Sequence, residues 1–175
     1  MSFSHKHLSN IPISGVKILE ISQHNDTRGS LWTVWSNDYD CGKSSNFVLD
    51  KVAVSKYNVL RGMHGDQKSH KYICVLAGKV FFALCDYRPF LRGSESEELK
   101  CHCVELSSEN PQAIYIPPGV LNGHYVLSDE AVFFYKWRFE GPYPDVEDQI
   151  SVKWSDPRLK INWPCSSPIL QARDQ

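Results

Sequence analysis

Residues 71–86 read KYICVLAGKVFFALCD. Two runs of apolar, β-branched and aromatic residues, Lys71–Leu76 and Lys79–Asp86, meet there at Ala77-Gly78. Runs of this composition and length are strands. Glycine supplies the positive φ of a tight hairpin, so the two are expected to pair antiparallel. Working outward, similar short runs recur at Val16–Ile21, Ser30–Ser36, Asn46–Ser55, Cys101–Leu106, Ala113–Ile116, His124–Leu127 and Ala131–Phe139, separated by turn residues. Only Ser94–Lys100 and the last residues look helical, and neither has the ten or more periodic positions of a packed helix. Many strands and few helices predict an all-β fold, a double-sheet antiparallel jelly roll or barrel whose interior can hold a small ligand.

The chain's 175 residues, 42% of them hydrophobic, suit a single domain over 1–175 with a continuous core. Lys and Arg number 19 against 20 Asp and Glu, a balance that excludes a basic nucleic-acid surface and a polybasic membrane face. No segment approaches the ~20 apolar residues of a membrane span and Met1–Gly15 lacks a signal peptide's apolar stretch, so the expected location is cytoplasmic. The six cysteines, including Cys101 and Cys103 around His102, are read as reduced thiols with no zinc site. The segment Phe3–Ile13 precedes the strand series, and its apolar residues suggest pairing with a second subunit.

Reactive side chains concentrate in four stretches: Asp26-Thr27-Arg28-Gly29, Leu60–Asp66, Ile116–Tyr125 and Phe134-Tyr135-Lys136. These are read as lying between turns, and loops on a rigid β scaffold are where function usually sits. Singly, each residue has a plainer reading: Arg28 and Arg61 as surface charges, His64 as a polar turn group, Tyr135 as a core ring.

Together they carry a resemblance. The run Asn58-Val59-Leu60-Arg61-Gly62-Met63-His64, with Ile116-Pro117-x-Gly119, Leu127-Ser128-Asp129-x-Ala131, Tyr135-Lys136, Trp154-Ser155-Asp156-Pro157 and Ile161-Asn162-Trp163-Pro164, resembles the dTDP-4-dehydrorhamnose 3,5-epimerase family from about Val16 to Asp174. His64-Gly65-Asp66, Asn122-Gly123-His124-Tyr125 and Glu140-Gly141-x-Tyr143 look most like the subgroup acting on GDP-4-keto-heptoses of capsular polysaccharide pathways. The resemblance implies a cupin-type jelly-roll homodimer without metal or other cofactor, acting on a nucleoside-diphosphate 4-keto sugar. The residues agree on metal: in the stretch just after Gly62, residues 63–71, the histidines are His64 and His70, without the close His-x-His and downstream Glu of metal-binding cupins.

A hydrogen beside a ketone leaves only if a base reaches it and the enolate is stabilised. By resemblance His64 is the base, a task suited to imidazole because it titrates near neutrality. Asp174 matches the carboxylate that holds it, Tyr135 the acid for the opposite ring face, and Lys71 the lysine facing the developing O4 oxyanion. Arg28 and Arg61 match arginines on the diphosphate, Arg28 reaching the neighbouring subunit's site. Asp66, Gln67, His124 and Tyr143 are assigned to sugar or base. Asn122 stands where rhamnose-type enzymes carry a second histidine; it can hydrogen-bond a keto oxygen but cannot shuttle a proton at neutral pH. The residues leave other readings open: a sugar-nucleotide 3,4-ketoisomerase, a sugar-nucleotide-binding jelly roll without turnover, and a metal-dependent cupin oxygenase.

Overall fold

The computed structural model describes residues 7–8, 11–39, 46–94 and 96–175. Its strands are β1 His7–Leu8, β2 Lys17–Glu20, β3 Gln23–Asp26, β4 Gly29–Trp32, β5 Leu49–Lys56, β6 Leu60–Gly65, β7 His70–Ala77, β8 Lys79–Asp86, β9 Cys101–Ser107, β10 Gln112–Ile116, β11 Val120–Val126, β12 Glu130–Arg138 and β13 Ile150–Ser151. All ladders between them are antiparallel. One sheet runs β1-β2-β10-β7-β12-β5 and a second β13-β6-β11-β8-β9, with β3-β4 forming a separate hairpin.

The expected hairpin at Ala77-Gly78 is a different kind of turn. β7 pairs with β10 and β12, whereas β8 pairs with β9 and β11, so the chain crosses from one sheet to the other at Gly78. The core explains the choice. Ile73 and Val75 of β7 and Val80, Phe82 and Leu84 of β8 join one buried cluster with Ile18, Ile114, Val126 and Phe133, which is possible only when the two strands face each other across the interior. Gly78 has φ of +76°, and a Cβ there would lie 2.1 Å from the Glu130 carbonyl oxygen; only glycine fits this corner.

The outer faces are also covered. Tyr72 and Cys74 lie with Leu19, Ile21 and Tyr39 beneath Trp35 and Phe47, while Met63, Cys85 and Leu121 pack with Leu159 and Trp163. Covering on both sides explains why β7 reads as a continuous apolar run rather than an alternating one.

Three further expectations change. Leu60–Gly65 and Asn122-Gly123, read as lying between strands, are strand. Ser94–Lys100 contains no helix among its described residues; the short α1 is Arg88–Leu91, with Pro89 in its first turn. His7–Leu8 pairs with Ile18–Leu19 of the same chain, while Phe3–Lys6 and Ser9–Asn10 lie outside the described residues, as does Cys41. Cys101 faces Cys85 across the β8–β9 ladder, and among the described residues no group of three His, Cys, Asp or Glu side chains is arranged to hold a metal. No described helix is long and apolar enough to cross a membrane.

Candidate active site

The cavity between the sheets begins with an irregularity in β6. Asn122 of β11 lies opposite His64, but His124 lies opposite Arg61, so β6 carries one extra residue between the two pairs. Such a bulge shifts the alternation of side chains. Arg61 and His64, three apart, therefore both line the cavity, and Met63 packs on the outer face. Gly62 and Gly123 make the bulge possible: a Cβ on Gly62 would lie 2.4 Å from Gly123 Cα.

The cavity has a volume of about 140 Å³. The five-stranded sheet contributes Arg61, His64, Asn122 and His124, and the six-stranded sheet contributes Ala53, Lys71, Ile73, Phe133, Tyr135 and Trp137. Tyr135 lies opposite Ile73 in the β12–β7 ladder and Trp137 opposite Lys71, which places all four on one face. His64 and Tyr135 thus approach one hollow from opposite sheets. Facing sheets ~10 Å apart normally fill the gap with interdigitated side chains, so a ligand's room is the hollow these residues leave unfilled.

The carboxyl-terminal segment completes the wall. Leu60 N–H donates to the Ile169 carbonyl at 3.0 Å and Ile169 N–H to the Asn58 carbonyl at 2.7 Å. The following 3-10 turn, Ala172–Asp174, carries Gln171 and Arg173 to the cavity mouth. Asp174 is 1% exposed, and its Oδ1 accepts from His64 Nε2 at 2.5 Å. A carboxylate only accepts, so this contact fixes the proton on Nε2 and leaves the lone pair on Nδ1. Lys71, buried at 6% exposure, donates from Nζ to Asn122 Oδ1 at 3.3 Å and stands 4.9 Å over the Trp137 ring.

The family model for dTDP-4-dehydrorhamnose 3,5-epimerase matches residues 10–175. The chain belongs to this family. The dTDP-4-dehydrorhamnose 3,5-epimerase of Escherichia coli K12 is 34% identical over 170 residues, covering 93% of this chain and 88% of that protein. Among solved structures, the dTDP-6-deoxy-D-glucose-3,5-epimerase of Legionella pneumophila in complex with dTDP-4-keto-L-rhamnose has a TM-score of 0.83 and 33% identity, covering 98% and 90% of the two chains. A 3'-monoepimerase from Streptomyces bikiniensis in complex with dTDP-quinovose has a TM-score of 0.79 and 27% identity over 93% of this chain and 83% of that one. The relatives named in the family are epimerases, hence isomerases, and the shared fold is the cupin-like jelly roll.

In this epimerase-family chain His124 lies stacked on Phe133, ring centroids 4.4 Å apart and planes 13° apart, with Nε2 buried and unpartnered. Burial, reinforced by the Arg61 charge and opposed by Asp174, holds its pKa down at about 3, so the ring is neutral. The folded pKa lies below the ordinary 6.5 of imidazole, so the unfolded chain binds the extra proton. His124 therefore supports the fold fully above about pH 6.5, and that support falls away as pH drops toward 3. The difference is on the order of 5 kcal/mol. Urea denaturation across this range is expected to show a shallower acid loss in His124→Phe than in the parent.

The epimerase-family site does not take in every predicted residue. Asp66, assigned to substrate, instead accepts the Lys68 and Ser69 backbone N–H groups at 2.8 and 2.5 Å, and neither Asp66 nor the exposed Gln67 lines the cavity. The Asp66 carboxylate is held in its own turn because those amides would otherwise lack partners. Arg28 sits at the β3–β4 turn paired with Asp26 at 2.5 Å, its side chain 88% exposed, away from the cavity of its own chain. Tyr143 lines the adjoining mouth, stacked on Trp137 and hydrogen-bonded by Lys51. Sequence reasoning missed Trp137, Gln149, Ser151, Gln171 and Arg173. Trp137 was accessible, since alternation from Tyr135 puts it on the same face; the others depend on the β13 pairing and the tail, which no local pattern announces.

Proposed function

We propose that the chain inverts C3, C5 or both of a nucleoside-diphosphate 4-keto sugar. The observation that carries this reading is the approach of His64 and Tyr135 to one cavity from opposite sheets, with Lys71 beside them. His64, held by Asp174, takes the proton from a carbon flanking the ketone. The charge passes to O4, where the Lys71 ammonium meets it, and Tyr135 O–H supplies a proton to the other ring face. Arg61 holds the diphosphate, a role suited to the guanidinium fork. Its Nε already donates to Ser55 Oγ at 3.0 Å, which aims the fork from the cavity wall. Asn122 and His124 contact the sugar, and Tyr143 the nucleotide at the mouth. None of these steps asks for a metal or other cofactor.

The relatives' names support a dTDP-linked 4-keto-6-deoxyhexose. A GDP-linked 4-keto-heptose is the second reading, which rests on the likeness of Asn122-Gly123-His124-Tyr125 to the heptose-type subgroup alone. Incubation with each sugar nucleotide, followed by NMR of the products, separates the two. Inverted product from the dTDP sugar is expected, and inversion of neither would exclude the epimerase reading.

We also propose a homodimer in which Arg28 completes the neighbouring site. The exposure of Val48, Val52, Val54 and Tyr57 on or beside the edge strand β5, between 55 and 63%, supports a covered face. Val54→Glu is expected to give a monomer in sedimentation with weakened substrate binding, and Arg28→Ala to raise KM in an intact dimer; a fully active monomer would overturn both.

A further inference from the structure

We propose that Ser151 is the proton outlet of the His64 base, an inference that rests on the reading of His64 as the base. The Asp174 contact leaves Nδ1 as the nitrogen able to accept a proton, and Ser151 Oγ stands 3.1 Å from that atom. The placement is built into the fold, since Ser151 lies directly opposite His64 in the β13–β6 ladder. His64 is only 7% exposed, whereas Ser151 is exposed on the surface and does not line the cavity. One hydroxyl therefore joins to bulk water an imidazole that a sugar in the cavity covers.

A serine hydroxyl both donates and accepts. At rest Oγ–H donates to the Nδ1 lone pair. As the sugar's hydrogen arrives the hydroxyl swings aside, and Nδ1 takes the proton while the C–H electron pair stays on the enolate. The hydroxyl then turns to accept Nδ1–H. That proton moves to Oγ while the original Oγ–H proton passes to water, leaving neutral His64 with Nε2–H still on Asp174. No other bond forms or breaks. Without the outlet the proton is held on His64 and goes back to the carbon it left.

The test compares the parent, Ser151→Ala and Ser151→Thr on dTDP-4-keto-6-deoxyglucose in D2O. It reads turnover, KM and the deuterium in recovered substrate per molecule of product. Ser151→Ala is expected to lower kcat about tenfold with KM unchanged, to cut the deuterium in recovered substrate several-fold, and to be accelerated by added small buffer bases. Ser151→Thr, which keeps the hydroxyl, restores both readouts. Parent-like exchange in Ser151→Ala, a change confined to KM, or a loss that threonine does not restore each overturns the outlet while leaving His64 as base. Absence of exchange in the parent itself overturns the base assignment and the outlet with it.

Discussion

Replacing His64 by Asn is expected to lower kcat for sugar-nucleotide epimerisation by about 10³-fold, within the range general-base removal usually produces. KM should stay within a few-fold, because Arg61 and the cavity walls are untouched. The asparagine amide reaches only to the place of Nδ1 and stops short of Asp174, which is left buried without a donor, so urea denaturation is run alongside to confirm that the variant folds. The amide offers no basic lone pair, and the carbon-bound hydrogen has nowhere to go. Steady-state kinetics with NMR detection check this. A loss smaller than about tenfold would mean that another group takes the proton.

Lys71→Met separates activity from stability. Lys71 is pushed down to about 8 by burial, with Arg173 and Lys51 adding to the effect and Asp66 opposing it. The group is cationic at neutral pH but kept so against its surroundings. Removing the ammonium should cost about 10²–10³-fold in kcat, the usual effect of deleting one oxyanion partner. The parent's activity should decline as pH rises through about 8, and in the methionine variant that limb disappears. Stability moves the other way. The folded pKa lies below the unfolded value, so the unfolded chain binds more protons between pH 8 and 10.5, and parent stability rises across that window by an amount on the order of 3 kcal/mol. Methionine removes both the rise and the burden below pH 8, so the variant should unfold at higher urea at pH 7 while turning over slowly. Undiminished kcat in this variant would remove Lys71 from the oxyanion role.

The strands themselves were legible because Val, Ile, Phe and Tyr recur in short runs between turns. Their partners were not. Residues 71–86 look like a hairpin, yet Gly78 turns the chain between sheets, since burying Val75 and Phe82 against each other removes more apolar surface from water than pairing them side by side. Residues 60–65, LRGMHG, look like a loop because two glycines and two polar residues hide a strand. The bulge that aligns Arg61 with His64 is set by β11, more than fifty residues later. The functional groups consequently sit on inward strand faces rather than on loops. Asp174 next to the chain end has no local signal of burial; its placement follows from backbone bonds at Ile169, and only the family resemblance anticipated it. Asp66, by contrast, stands in a motif-like run beside His64, where sequence cannot separate a substrate contact from an acceptor for its own turn.

On the proposed mechanism, abstraction and reprotonation occur on opposite faces of one ring, from His64 and Tyr135. Tyr135→Phe, incubated with dTDP-4-keto-6-deoxyglucose in D2O and followed by NMR, tests it most directly. Deuterium should accumulate beside the ketone of recovered substrate with its original configuration kept, while inverted product falls about 10²-fold or more. Inverted product forming at the parent rate would remove Tyr135 from the acid role.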